Sequence, residues 1–257
     1  LWQDCLSLLL MEPEPVREMI TANFGGVRMD GTNATIIGDG LGNFIADRNG
    51  IARVWMDHAF WPFLTVKWYL QQTGDFGILS EEAPYFKDHQ EVRGTETDAE
   101  WQPEEGSFQR TASGAVYHGS VLEHLLVENL TAFYEVGVHN ILRLRGADWN
   151  DALDMASENG ESVAFTFAYA MNLEEIADVL EEYSNKTGRE SVTIAKEIMS
   201  LLKCEKESYD DMDYKQRLLS GYCDSCAASL SGETVEIAIK DIVDDLREKA
   251  DWQKDFL

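Results

Sequence analysis

Two carboxylates, an indole and an amide fall within the four consecutive residues Asp148-Trp149-Asn150-Asp151, at the end of the run Arg143-Leu144-Arg145-Gly146-Ala147-Asp148-Trp149-Asn150-Asp151. Cleaving a glycosidic bond needs a carboxylic acid to protonate the leaving oxygen, with other groups to hold the sugar ring. An indole face stacks on the apolar face of a pyranose, while Asn and Asp read its hydroxyls. The same residues also suit a helix start, with Asp148 or Asp151 as the cap and Trp149 in the core. A second cluster is Arg53-Val54-Trp55-Met56-Asp57. Four apart on a helix, Arg53 and Asp57 would form a surface pair contributing about 0.2–0.5 kcal/mol. Facing a cleft, the pair would bind several sugar hydroxyls at once.

Other chemistries find less support. The five histidines (His58, His89, His118, His124, His139) are dispersed. The spacing of six between His118 and His124 suits no helical metal pair, so no metal site is expected. Cys223-Asp224-Ser225-Cys226 has the spacing of a redox pair or half a zinc site, but no second pair accompanies it. No GxGxxG, P-loop or GxSxG pattern occurs, which argues against nucleotide-dependent and serine-hydrolase chemistry and leaves no cofactor to expect.

The 257 residues carry 47 acidic against 21 basic side chains, a formal charge of −26. Such a field repels phosphate backbones and anionic lipid heads, so neither nucleic acid nor a membrane is an expected partner. Neutral, hydroxyl-rich substrates meet no conflict. Four cysteines in a chain of this length imply no disulfide scaffold and point to a reducing, cytoplasmic setting. No apolar run approaches the ~20 residues that span a bilayer. The sequence opens on Leu1 inside an amphipathic run, which reads as a piece cut from a longer polypeptide.

Helical periodicity dominates the elements that must position these residues. Helices are expected near 6–11, 16–24, 57–72, 120–136, 162–183, 189–203 and 234–250. Gly74 is a plausible helix C-cap. Residues 25–52 read as glycine-rich loops with one short strand at 34–37, and residues 87–117 as a charged, irregular loop insertion. Strand signals are otherwise almost absent. The fold class is therefore mainly α. Helices joined by long loops that carry the chemistry suggest part of an (α/α)6 toroid, because bundles prefer short connections.

Taken together, these residues resemble glycoside hydrolase family 94, the inverting disaccharide and oligosaccharide phosphorylases. Three blocks carry the resemblance: Leu1-Trp2-Gln3-Asp4; Gly50 to Pro62 followed by Thr73 to Leu79; and Gly146 to Asp151 with Gly160-Glu161-Ser162-Val163. The third is the most specific. The resemblance implies one (α/α)6 catalytic domain of which residues 1–257 are a central part. Residues 190–257 are expected to be helical but carry no recognised motif. It implies that Asp151 is the general acid, and that Arg53, Asp57, Asp148, Trp149 and Asn150 contact the sugar. Inorganic phosphate would be the co-substrate and nucleophile, giving an α-sugar 1-phosphate from a β-glucosidic bond. Ile51 stands where the family often has a second arginine, which suggests a different subsite. Arg28 to Ala34 and Gly146 to Met155 look most like the 1,2-β-oligoglucan phosphorylases, with the cellobiose enzymes more distant.

The family's phosphate-binding residues lie well beyond the acid motif, so isolated residues 1–257 are expected to be nearly inactive. An exposed barrel face would favour self-association, and a homodimer is possible. Two other readings stay open at this point. One is an inverting hydrolase on the same toroid, and the other is a non-catalytic carbohydrate-binding fragment.

Overall fold

In the computed structural model the described residues are 2–45, 54–102, 106–145, 156, 158–203 and 205–257. Arg53, Asp148, Trp149, Asn150 and Asp151 lie outside them. Helix α1 (Trp2–Met11) is separated by Glu12 alone from Pro13, which opens α2 (Pro13–Phe24) where a missing N–H costs nothing. Two-residue strands β1 (Ile36–Ile37) and β2 (Phe44–Ile45) pair antiparallel. Helix α3 (Phe60–Thr73) is closed by Gly74 at φ 69°, the left-handed cap its sequence suggests. A 3₁₀ turn (Phe76–Ser80) leads to β3 (Glu82–Pro84), then β4 (Gln90–Glu91) and β5 (Glu96–Thr97). Strand β6 (His118–Ser120) returns to pair with β3, and Ser120 caps α4 (Val121–Tyr134) by accepting from the Glu123 amide.

Beyond the acid-motif segment come α5 (Val163–Thr187), β7 (Ser191–Ala195), α6 (Met212–Cys226), β8 (Thr234–Ala238) and α7 (Ile239–Phe256). Helices α5 and α7 run antiparallel: Arg247 reaches Asp178 and Glu181, while Lys254 reaches Glu174. Every residue of α4 is buried, which makes it the central helix. Around it pack α3, α5, α6 and the aromatic core of Phe24, Phe63, Tyr85, Tyr183, Tyr209 and Tyr222. The polar side chains that α4 carries inward, Glu123, His124, Glu128, Asn129 and Thr131, must therefore find partners inside the protein. Among the described residues no helix is long and apolar enough to cross a membrane.

The class is mainly α, with three departures from the expected elements. The helix expected at 189–203 is strand β7 followed by a 3₁₀ helix (Lys196–Leu201), and residues 234–238 are strand β8 rather than a helix start. The two strands pair antiparallel over five residues, from Ser191↔Ala238 to Ala195↔Thr234. Both are rich in β-branched residues, but each runs at once into a helical segment, and that hides the period of two. Residues 190–257 are thus not wholly helical. Helix α6 has no counterpart among the expected helices, because Ser220 and Gly221 interrupt its apolar stripe. Thirdly, the 87–117 insertion is ordered by the β4–β5 hairpin and inward-pointing polar residues Asp88, Gln90 and Arg93.

Candidate functional site

A cavity of about 580 Å³ opens between the start of α1, the end of α2, the β1–β2 hairpin, the approach to α3 and the start of α5. That volume lies within the ~300–1,000 Å³ usual for small-molecule sites. Trp2, Phe44, Trp55, Trp61 and Phe165 supply aromatic walls, and Asn23, Asn33, Asp57 and His58 supply polar groups. Among the described lining residues there is no lysine or arginine.

The wall at 55–58 is a tight turn before α3. The His58 amide donates to the Trp55 carbonyl at 3.2 Å, and the Phe60 amide to the Asp57 carbonyl at 3.0 Å. Asp57 therefore lies in a turn before α3 rather than within a helix. Its Oδ2 instead accepts from the Trp61 indole at 3.0 Å, which fixes the carboxylate. Tyr169 of α5 anchors the turn from behind through its hydroxyl, which donates to the Met56 carbonyl at 2.5 Å. Met56 and Ala59 pack there against Ala132, Leu142 and Leu144.

The turn leaves three polar atoms buried without a hydrogen-bond partner among the described residues: Trp55 Nε1, Asp57 Oδ1 and His58 Nδ1. A buried unmet group costs about 1–3 kcal/mol, so three within four residues call for a reason outside the fold. Burial lowers the His58 pKa to about 4; Asp57 opposes the shift and Arg28 adds to it. The ring is therefore neutral near pH 7.

The floor is built by Arg28 to Ala34. Gly31 takes φ 80° with Thr131 packed where a side chain would stand, which only glycine accommodates. Asp30 Oδ1 accepts from the Thr32 amide and hydroxyl, and Arg28 forms a two-pronged buried pair with Asp88 at 2.8 and 3.0 Å. Asn33 reaches the cavity and is held by Glu128, to which its Nδ2 donates at 2.7 Å. Burial raises the Glu128 carboxyl well above its ordinary range; the Asn33 bond and Arg93 oppose this only in part.

Beside this floor Arg93 donates to Glu135, to the Asp30 carbonyl at 2.6 Å and to Thr131 Oγ1 at 3.0 Å. Arg145 donates to the other Glu135 oxygen. Burial alone would raise the Glu135 carboxyl, but Arg93 and Arg145 outweigh it and hold the pKa below the ordinary value. Arg145 is the residue immediately before Gly146, so this network holds the chain directly ahead of the Gly146–Asp151 segment.

Of the site residues expected from sequence, Asp57 lines the cavity. Arg53, Asp148, Trp149, Asn150 and Asp151 lie outside the described residues. The sequence reading passed over His58, Trp61, Asn33, Phe44 and Phe165. A usable signal existed for His58 and Trp61, which directly follow Asp57 and stand four after it; Asn33, Phe44 and Phe165 come from distant segments. Cys223 and Cys226 are buried free thiols in α6, and Cys226 donates to the Tyr222 carbonyl at 3.2 Å. Burial pushes both thiols up, so neither is a ready thiolate at neutral pH.

Comparison with known proteins adds two findings. The sequence model described as "Glycosyl hydrolase 94 superfamily, catalytic domain" matches residues 102–236, more than half of the chain. That range contains the Gly146–Asp151 segment and reaches into β8. A solabiose phosphorylase from Paenibacillus borealis is 27% identical over 157 residues, which amount to 60% of this chain and 16% of the relative. The chain thus aligns with a small part of that relative.

Proposed function

The chain belongs to the glycosyl hydrolase 94 superfamily, and on that premise we propose that it forms the sugar-binding and proton-donating half of a glycoside phosphorylase. The observation that carries the proposal is the aromatic cavity lined by Asp57, with its wall of Trp2, Phe44, Trp55, Trp61 and Phe165. Phosphorylase function in a relative supports the same reading. The helices would form part of an (α/α)6 toroid, with Arg53, Asp148, Trp149 and Asn150 completing the sugar contacts around Asp57.

Asp151 is the general acid. An oxygen of inorganic phosphate attacks the anomeric carbon from the face opposite the leaving group. The C–O bond of the β-glucoside breaks, its electron pair goes to the leaving oxygen, and Asp151 donates the proton that this oxygen takes up. The product is an α-sugar 1-phosphate. An inverting hydrolase needs a second carboxylate to activate water. Phosphate is already an anionic nucleophile, so one carboxyl suffices. That carboxyl must stay protonated near neutral pH, and a bound phosphate dianion beside it favours the neutral form. No metal or organic cofactor takes part.

The test is Asp151→Asn in the complete polypeptide, assayed for phosphate-dependent release of sugar 1-phosphate from β-linked glucose disaccharides. Turnover should fall by about 10²–10⁴-fold, the usual contribution of a positioned acid, with an unchanged melting temperature. Wild-type turnover in the variant would remove Asp151 from the role. Release of free sugar at equal rate without phosphate would replace the proposal by a hydrolase.

A further inference from the structure

A second cavity, of about 170 Å³, lies between the end of α4, the loop of the β4–β5 hairpin, residues 143–145 and α6. It shares no lining residue with the cavity at Asp57, and its charge is of another kind. Its described walls hold Arg93, Arg143 and Arg145 against one carboxylate, Glu135. Glu135 stays ionised near neutral pH, and its two oxygens are taken by Arg93 and Arg145. Three guanidinium groups against one carboxylate leave two positive charges, in a chain whose formal charge is −26. Glu161 also attracts Arg143, but its oxygens accept from His139 at 2.9 and 2.5 Å. Burial, together with the charge of Arg145, lowers the Arg143 pKa in spite of these carboxylates. A bound anion would relieve that repulsion.

The pocket also has donors to spare. Arg143 Nη2 donates to the Glu158 carbonyl at 3.2 Å, and Arg145 spends Nε and Nη2 on Glu135. Among the described residues nothing takes Arg143 Nε, Arg143 Nη1 or Arg145 Nη1. Both side chains are only partly buried, and no nitrogen of either is among the buried atoms that lack a partner, so these N–H groups can be reached. Planar guanidinium forks suit the oxygens of a phosphoryl group, which gain from the charge as a neutral sugar hydroxyl does not. Gln216 and Ser220, exposed on α6, border the same pocket and leave its outer side uncharged.

We propose that this pocket binds a phosphoryl oxyanion at a site separate from the sugar cavity. Free phosphate and the phosphoryl group of a sugar phosphate offer the same oxygens, and either fits the charge. An anion held there bears on Arg145, the residue before Gly146. The site does not depend on whether the reaction at Asp57 is phosphorolysis or hydrolysis.

The test counts radiolabelled inorganic phosphate bound per chain by equilibrium dialysis of the complete polypeptide at low ionic strength, where charge attraction is least screened. Arg143→Gln should weaken one equivalent at least about tenfold, the loss of a charge-assisted hydrogen bond. Any phosphate bound elsewhere should be unaffected. Ser220→Asp places a carboxylate at the pocket from an exposed helix position and should weaken the same equivalent, while Ser220→Asn adds no charge and should keep it. The Asp–Asn contrast decides the matter even where the Arg143 variant fails to fold. Equal phosphate binding in all four proteins would overturn the proposal and mean that the arginines are neutralised within the chain. Absence of bound phosphate in the wild type would overturn it as well. Competition then assigns the source. If α-glucose 1-phosphate displaces this equivalent at least about tenfold more effectively than unlabelled phosphate, the site serves a sugar phosphate; equal or weaker displacement makes free phosphate its ligand. Both results uphold the oxyanion site, and neither bears on the role of Asp151.

Discussion

Arg93, Glu135, Asp30 and Thr131 form a buried polar cluster whose charged groups meet partners, whereas Trp55, Asp57 and His58 present three buried atoms that meet none among the described residues. The two groups meet at one small void, lined by Trp55 from the second and by Arg93 and Glu135 from the first. Both involve burying polar groups in a mainly apolar core, and both carry the desolvation cost. In the first, the cost is offset within the chain. The network even sustains consecutive left-handed residues, Val92 at φ 48° and Arg93 at φ 53°, by bonding the Arg93 amide to Asp30 Oδ2 at 2.7 Å. In the second no partner among the described residues offsets it, although the three side chains line a cavity. Matched buried polarity therefore holds the fold here, whereas the turn beside the cavity leaves polar atoms unmet among the described residues.

The largest expected effect comes from breaking the matched side. Glu135→Ala leaves Arg93 and Arg145 without their shared carboxylate and should destabilise the protein by about 3–5 kcal/mol, as removal of one partner of a buried pair does. His58→Leu on the unmatched side removes a stranded atom and should change stability by less than about 1 kcal/mol. Denaturant unfolding of the complete polypeptide measures both. Equal losses in the two variants would erase the distinction.

That distinction was only half legible in the sequence. Asp57 could be singled out because an acid four residues from an arginine, amid tryptophans, has few uses. The same spacing suggested a helix that is in fact a turn, because backbone bonds from His58 and Phe60 close it before α3 begins. Glu135 gave no signal at all. Its partners Arg93 and Arg145 lie 42 and 10 residues away, and such pairings are set by tertiary packing rather than local pattern. Helix α4 was readable from its leucine stripe. Its burial on every side was not, since Glu123, His124 and Glu128 look like a solvated face until their partners are seen. Strands β7 and β8 failed for the opposite reason: five residues are too few to separate one period from the other.

A matched group still has a pH signature, and Glu123 provides it. Its carboxylate accepts from Tyr85 and Tyr117 at 3.0 Å each and from the Ala195 amide at 2.9 Å. Burial is the larger influence and raises its pKa to about 7 from the ordinary 4.5. Between those values the folded protein holds a proton that the unfolded chain has released. Stability from this residue is therefore greatest below pH 4.5 and is lost as pH rises toward 7. Glu123→Gln cannot titrate. The stability of the wild type minus that of the variant should fall by about 1.4 kcal/mol per unit of displaced pKa over this window, a total of roughly 3 kcal/mol. His58 and His124, both lowered to about 4 by burial, shift stability the other way but are common to both proteins and cancel. A difference that stays flat from pH 4.5 to 7 would show that the three hydrogen bonds, rather than burial, govern this carboxyl.

The smallest effect sharpens the comparison most, because it tests the point where the two kinds of polarity meet in one side chain. Asp57 lines the cavity with a matched oxygen, held by the Trp61 indole, and a buried one that meets no partner among the described residues. Trp61→Phe keeps an aromatic ring in the wall but removes the N–H that fixes the carboxylate. If the matched half serves to aim the unmatched half, sugar affinity should weaken by about three- to tenfold, the loss of one hydrogen bond of about 1 kcal/mol. Titration with the best-binding disaccharide reads this directly. Stability should change by less than about 1 kcal/mol, since only one part-buried hydrogen bond is lost. Unchanged affinity with clear destabilisation would mean that the indole bond belongs to the fold alone, and that the carboxylate finds its ligand without being aimed.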